Sequence, residues 1–230
     1  MTMSLQFFPA PNPNSTGVLI APGGGYAYVS YEKEGSLPAK WLNERGFDAW
    51  VLTYTCADGD IPAPIYPAPM EEALDAVKKI RAEGRVSKLG IWGWSAGGHL
   101  AAITATTPEV ELDFAVLSYP VISMEDPTTH PGSRQNLLGD KASLELVQDM
   151  SAQNRVSKTT PPTFIFHTAN DGAVPVQNSL LFATAMARYQ RSFELFVLPN
   201  GPHGIGMAID DPELTWTAEL DRWLQRFIAA

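Results

Sequence analysis

Gly93-Trp94-Ser95-Ala96-Gly97 is the segment that most narrows what this chain can fold into. The apolar run Leu89-Gly90-Ile91-Trp92 precedes it, and the small, helix-compatible stretch Gly98-His99-Leu100-Ala101-Ala102 follows. A strand, a sharp turn and a helix are predicted in succession, with a serine at the apex. A turn that tight brings backbone against both sides of the serine, and only residues without a Cβ fit there. The serine hydroxyl is lifted off the sheet at the N-terminus of a helix, in the manner of a nucleophile elbow. Five-residue patterns recur by chance, so the flanking strand and helix are what weigh against a glycine-rich turn with a solvated serine.

A serine hydroxyl is a weak nucleophile unless a base lies within hydrogen-bond reach and a third group orients that base. The chain has four histidines. His99 falls one turn into the helix after the serine, where a packed structural role is expected. His130 lies in the polar loop Thr128-Thr129-His130-Pro131-Gly132, and His167 inside the apolar run Thr163–Thr168, which reads as a buried strand. His203 follows the strand pattern Phe193–Leu198 in the loop Pro199-Asn200-Gly201-Pro202-His203-Gly204. Loops at the C-terminal ends of parallel strands are where α/β proteins place their chemistry, so His203 is the expected base. In the chain order Ser, Asp, His, Asp171 is the expected acid, because strand 163–168 runs straight into Ala169-Asn170-Asp171-Gly172. Asp126 and Asp140 are rivals, but neither follows a convincing strand.

Acyl transfer also needs donors for the oxyanion. The strand pattern ending at Ala21-Pro22 runs into Gly23-Gly24-Gly25-Tyr26. Such a run lets backbone N–H groups approach a ligand unobstructed. It lacks the spacing of a dinucleotide loop and the Lys-Ser/Thr of a phosphate loop. The N–H groups of this glycine run are candidate oxyanion donors, and that of Ala96, the residue after the serine, would complete the set. Tyr26 and Trp94 flank these groups and are expected to line the substrate site, with core packing as the alternative for each. Glu34 reads most simply as a solvated residue at a helix start, with a hydrogen bond to substrate or to Tyr26 as the alternative.

These segments together resemble the α/β-hydrolases. The closer likeness is to the hormone-sensitive-lipase-like esterases, and among them to small bacterial acetyl xylan esterase or carbohydrate acetylesterase-like proteins. The likeness is carried by Ala21–Tyr26, Glu34-Gly35, Gly93–His99, Gly132–Gly139, His167–Asp171 with Val174-Pro175, and Pro202-His203-Gly204. It implies Ser95 as nucleophile, Asp171 as acid, His203 as base, Gly24, Gly25 and Ala96 as the oxyanion donors, no cofactor and no metal. The implied substrate is a short acyl ester, an acetylated sugar above all. Pro22 stands where lipase relatives often carry histidine, and Asn170 where relatives often carry a second acid. An arylformamidase, a small peptidase or a broad carboxylesterase on the same fold would share these residues, because the fold does not fix the scissile bond. A non-catalytic binding protein usually lacks a member of the constellation.

The wider pattern agrees. Strand and helix alternate along the chain, which implies a mostly parallel sheet covered on both faces. Strands are expected at 16–21, 48–54, 112–117, 163–168 and 193–198. Helices are expected at 34–45, 70–81, near 175 and after 212. Residues 120–160 are the one long excursion, expected to form a partial cap over the pocket with a short helical piece near Leu144–Val147. A single domain over 1–230 is expected, since 230 residues with 45% hydrophobic content can bury a large core. A net charge of −9 argues against nucleic acid and anionic membranes as partners. No apolar stretch reaches a membrane-spanning length and the N-terminus does not read as a signal peptide, so a cytoplasmic location is expected. Cys56 is the only cysteine, which rules out an internal disulfide. Whether the chain forms a homo-oligomer stays open.

Overall fold

Continuous apolar runs such as Val18–Ala21 and Phe114–Leu117 dictate strands buried on both faces, and such strands form the middle of the sheet. The structure, a computed structural model, describes residues 3–228. Seven strands make one sheet: β1 (Ser4–Phe8), β2 (Thr16–Ala21), β3 (Asp48–Thr53), β4 (Lys88–Trp94), β5 (Phe114–Ser118), β6 (Thr163–Thr168) and β7 (Phe193–Leu198). Their order is β1-β3-β2-β4-β5-β6-β7, with β1 antiparallel at the edge and the rest parallel. Leu19 and Ala21 enter one core with helices α2 (Ala68–Glu83), α3 (Ser95–Thr106) and α6 (Gln177–Arg188). Val18 and Ile20 enter the other with α1 (Leu37–Asn43) and α7 (Thr217–Leu224). That split is the two-residue period of a strand.

Most expected elements are present with shifted ends. α2 begins two residues early because Pro69 suits its first turn, and it ends where Gly84 takes a left-handed conformation at φ 63°. The helix expected at 34–45 is two pieces, a wide π-turn at Glu32–Ser36 and then α1. The strand expected at 112–117 runs from Phe114 to Ser118. β1 was not anticipated, and neither was α4 (Pro131–Leu138), which precedes the short α5 (Leu144–Asp149) in the excursion.

The sheet order positions the site. After β2 the chain adds β3 on one side, then crosses back to add β4 on the other. Ligands of open α/β sheets bind where the order reverses in this way. Here Ala21 pairs with Gly93, so the glycine run after β2 and the serine turn after β4 meet at the C-terminal edge.

Candidate active site

Ser95 sits at the junction of β4 and α3 with φ 52°, a left-handed conformation that a residue with a side chain adopts only at a cost of about 1–3 kcal/mol. Its neighbours make that turn feasible. A Cβ on Gly93 would stand 2.2 Å from the Gly97 carbonyl oxygen, and one on Gly97 would stand 2.1 Å from that of Ala21. Both positions therefore exclude every side chain. Ser95 is almost buried, and its hydroxyl lies 2.8 Å from Nε2 of His203.

His203 Nδ1 lies 2.7 Å from Oδ2 of Asp171. A carboxylate only accepts, so Nδ1 carries the proton and Nε2 is free to accept from Ser95. The Asp171 side chain is fully buried. Burial alone would raise its pKa, but hydrogen bonds from His167 and His203 and from the Val174 and Ala173 N–H groups outweigh that and hold the carboxyl well below the usual range. His167 lies in β6; its Nε2 is 2.9 Å from the Val174 carbonyl and 3.4 Å from Asp171. Both neighbours accept, so Nε2 donates, and Nδ1 accepts from the Ser179 hydroxyl at 2.7 Å. Asn170, beside the acid, receives the Gly201 N–H at 2.9 Å and so ties the Asp171 turn to the loop of His203. The rivals lie elsewhere: Asp126 is exposed and pairs with Arg134, and Asp140 is exposed.

The glycine run is held by one of its N–H groups and by all three of its carbonyls. The Gly23 N–H donates to Glu34, and the carbonyls of Gly23, Gly24 and Gly25 accept from Ser30, from Ala27 and Tyr28, and from Asn136 Nδ2. Among the described residues the N–H groups of Gly24 and Gly25 donate to no protein acceptor, and both residues line a cavity of about 530 Å³ together with Ser95 and His203. Gly24 and Gly25 have φ 132° and 65°, which favours glycine at both. The Ala96 N–H belongs to the first turn of α3, where no intrahelical acceptor exists. This arrangement can pass a proton from hydroxyl to imidazole and offer N–H dipoles to a developing negative charge.

Two expected lining residues are not there. Tyr26 and Trp94 are each 0% exposed and do not reach the cavity. Tyr26 has φ 60°, which turns its ring inward, where its hydroxyl meets Nδ1 of His99 at 2.8 Å. The far nitrogen of His99 bonds the Met150 carbonyl, and burial pushes that imidazole down to about 4. Trp94 follows the strand period of Trp92, stacks on it at 4.7 Å and packs against Trp216. The cavity is lined instead by Tyr28, Lys33, Glu34, His130 and Asn136, with the glycines. Tyr28 is 61% exposed. His130 stands where the sequence predicts a loop; its Nδ1 accepts the Ser133 N–H at the start of α4, which leaves Nε2 as its donor. Glu34 is not solvated but 4% exposed and doubly hydrogen-bonded.

Sheet, switch point and strained serine define the α/β-hydrolase class. Residues 68–230 match the model of the prolyl oligopeptidase family, and the chain belongs to that family. It is 34% identical over 222 residues to an acetylxylan esterase of Xylanibacter ruminicola, covering 93% of this chain and 45% of that protein. It is 35% identical over 218 residues to endo-1,4-beta-xylanase B of Butyrivibrio fibrisolvens, covering 87% of this chain and 34% of that one. The chain thus spans less than half the length of these curated relatives. The solved structure of an acetyl ester-xyloside bifunctional hydrolase from Caldicellulosiruptor lactoaceticus is 34% identical, with TM-score 0.86, and the match covers 98% of this chain and 87% of that one.

Proposed function

We propose that this protein is a serine carboxylesterase that removes short acyl groups, acetyl above all, from sugars such as xylo-oligosaccharides. The observation that carries the reading is the Ser95–His203–Asp171 hydrogen-bond series facing the cavity beside the free N–H groups of Gly24 and Gly25. Ser95 Oγ attacks the ester carbonyl and its proton passes to His203 Nε2. The N–H groups of Gly24, Gly25 and Ala96 receive the oxyanion. The C–O bond to the sugar breaks, and the alcohol leaves with the proton from His203. Water then attacks the acyl-serine, giving up a proton to the same nitrogen, and the carboxylic acid departs as Ser95 recovers its hydrogen. Asp171 holds the imidazole in the required tautomer and offsets its positive charge. The acetylated sugar as substrate is supported by the names of the relatives. The cytoplasm suits a chain whose one cysteine is buried and free, and no helix among the described residues is long and apolar enough to cross a membrane.

The test is acetate release from acetylated xylo-oligosaccharides, set beside N-formylkynurenine and prolyl peptide anilides. The sugar ester should exceed both in kcat/KM by about a hundred-fold or more. Faster cleavage of the peptide, which the family's description makes the natural competitor, would replace this reading.

Acyl length is set by the lining. An alkyl chain gains about 0.8 kcal/mol per methylene only where apolar wall covers it. Ala27 and Tyr28 are the apolar side chains here, among Ser30, Lys33, Glu34, His130 and Asn136. p-Nitrophenyl acetate should therefore surpass the butyrate in kcat/KM, and the octanoate should hardly turn over. An optimum at eight carbons would contradict this and direct attention to the groove of Leu37, Ile205, Met207 and Ile209 beyond Lys33.

The exposed Tyr28 ring at the cavity suits the face of a pyranose. Tyr28→Ala should raise KM for an acetylated xylo-oligosaccharide about ten-fold, the equivalent of about 1.4 kcal/mol, and leave p-nitrophenyl acetate within about two-fold. Equal effects on both substrates would deny it a part in sugar binding.

A further inference from the structure

We propose that Glu34 is a positioning residue for the reaction at Ser95, bracing the glycine turn on one side of the serine and the segment that carries His203 on the other, through Tyr119. The inference rests on the esterase reading above.

A carboxylate withdrawn from water is costly unless its oxygens are hydrogen-bonded. Each oxygen of Glu34 accepts one hydrogen bond, and each bond leads to the site. Oε2 accepts the Gly23 N–H at 2.9 Å. Oε1 accepts the Tyr119 hydroxyl at 2.7 Å, and the same hydroxyl accepts the Gly206 N–H at 2.9 Å. The Tyr119 and His203 rings meet edge to face, with ring centres 5.1 Å apart. One carboxylate thereby joins the loop after β2, the turn after β5 and the loop after β7.

The fit around Gly23 shows how close this brace comes to the chemistry. A Cβ there would stand 2.7 Å from Glu34 Oε2, 2.8 Å from the Trp94 carbonyl oxygen and 3.0 Å from the Ser95 Cβ. Gly23 is wedged between the carboxylate and the serine turn, so Glu34 sets the distance at which the free N–H groups of Gly24 and Gly25 ride over Ser95. Donors preorganised in this way act on the transition state more than on bound substrate.

Both Glu34 oxygens act as acceptors, one from Gly23 and one from Tyr119. The groups that face Glu34 are Tyr119, His203, Lys33 and Tyr54. Burial raises the Glu34 pKa above the ordinary carboxylate value, and the Tyr119 and Gly23 hydrogen bonds, with His203 and Lys33 nearby, offset that only in part. A glutamine keeps the shape and removes one of the two acceptors, so it isolates the effect.

Glu34→Gln, Tyr119→Phe and the double variant should be assayed with p-nitrophenyl acetate and with phenylboronic acid, which forms a tetrahedral adduct on the nucleophile. In Glu34→Gln an amide nitrogen must face the Gly23 N–H or the Tyr119 hydroxyl. Its kcat should fall about 30-fold, its KM should stay within about three-fold, and boronate affinity should weaken by a similar factor to kcat. Tyr119→Phe removes one oxygen and should move the same quantities in the same direction. The double variant should lie within about three-fold of the worse single, because the two residues form one brace. Melting temperatures within a few degrees of the parent are expected, and Tyr119→Phe decides the matter alone if Glu34→Gln does not fold. The proposal is overturned by kcat within about three-fold of the parent in folded variants, by KM rising in step with the loss, or by multiplying effects in the double variant. Ser95→Ala separates the two claims. If that variant is inactive while Glu34→Gln is fully active, the brace fails alone; if Ser95→Ala still turns over, the esterase reading itself fails.

Discussion

Replacing Ser95 by alanine is expected to lower kcat for p-nitrophenyl acetate by about a million-fold while the fold stands. The loss is large because the serine supplies the atom that forms the covalent bond, and the remaining groups have nothing to activate. The fold is expected to survive because φ 52° costs alanine about what it costs serine, and the substitution removes one nearly buried hydroxyl bonded to His203. Ser95→Ala should therefore melt within a few degrees of the parent. A folded variant that keeps more than about a hundredth of the activity would remove Ser95 from the mechanism.

The second large effect is expected at the two partners. His203→Ala should be nearly as damaging as Ser95→Ala, because residues that act as a unit fail as a unit. Asp171→Asn should lower kcat about ten-thousand-fold. An asparagine amide donates to Nδ1, which forces the proton onto Nε2 and leaves nothing to accept from Ser95. Asp126→Asn and Asp140→Asn should stay within a few-fold, and an inactive but folded variant at either, beside an active Asp171→Asn, would transfer the role of acid.

Asp171 also leaves a signature in stability. Its carboxyl is held below the ordinary range by hydrogen bonds from two histidines and two backbone N–H groups, against the opposing effect of burial. A depressed folded pKa contributes stability that is complete above the unfolded value, about 3.9, and is lost as pH falls below it. The gap in melting temperature between the parent and Asp171→Asn should thus narrow from about pH 5 to about pH 3 and change little near neutrality. A gap independent of acid pH would mean that those four bonds do not favour the ionised form.

The groups gathered at the sheet edge were legible because their signals are local. Ser95 announces itself by the two glycines that its turn demands, and Asp171 and His203 by loop residues directly after apolar strands. What failed depended on direction or on distance along the chain. Tyr26 and Trp94 stand beside the site in sequence, yet a left-handed turn sends the first ring inward and the strand period sends the second into the tryptophan cluster. Glu34 resembles any surface glutamate at a helix start until Tyr119, 85 residues away, meets it. β1 escaped notice because an edge strand with three exposed positions in five carries almost no alternation, although Phe7 stacks on Trp50. α4 opens with Pro131-Gly132 and reads as loop, so His130 and Asn136 could not be assigned to the cavity wall from their surroundings in sequence.

Catalysis by Ser95 requires one covalent bond between its oxygen and the acyl group. A fluorophosphonate probe reacts with an activated serine, and digestion followed by mass spectrometry locates the adduct. The predicted result is one labelled peptide carrying the adduct on Ser95, formed at a rate that falls with His203→Ala and is blocked by prior incubation with an acetyl ester. An adduct on another residue, or full ester hydrolysis by a protein that the probe leaves unlabelled, would contradict the account.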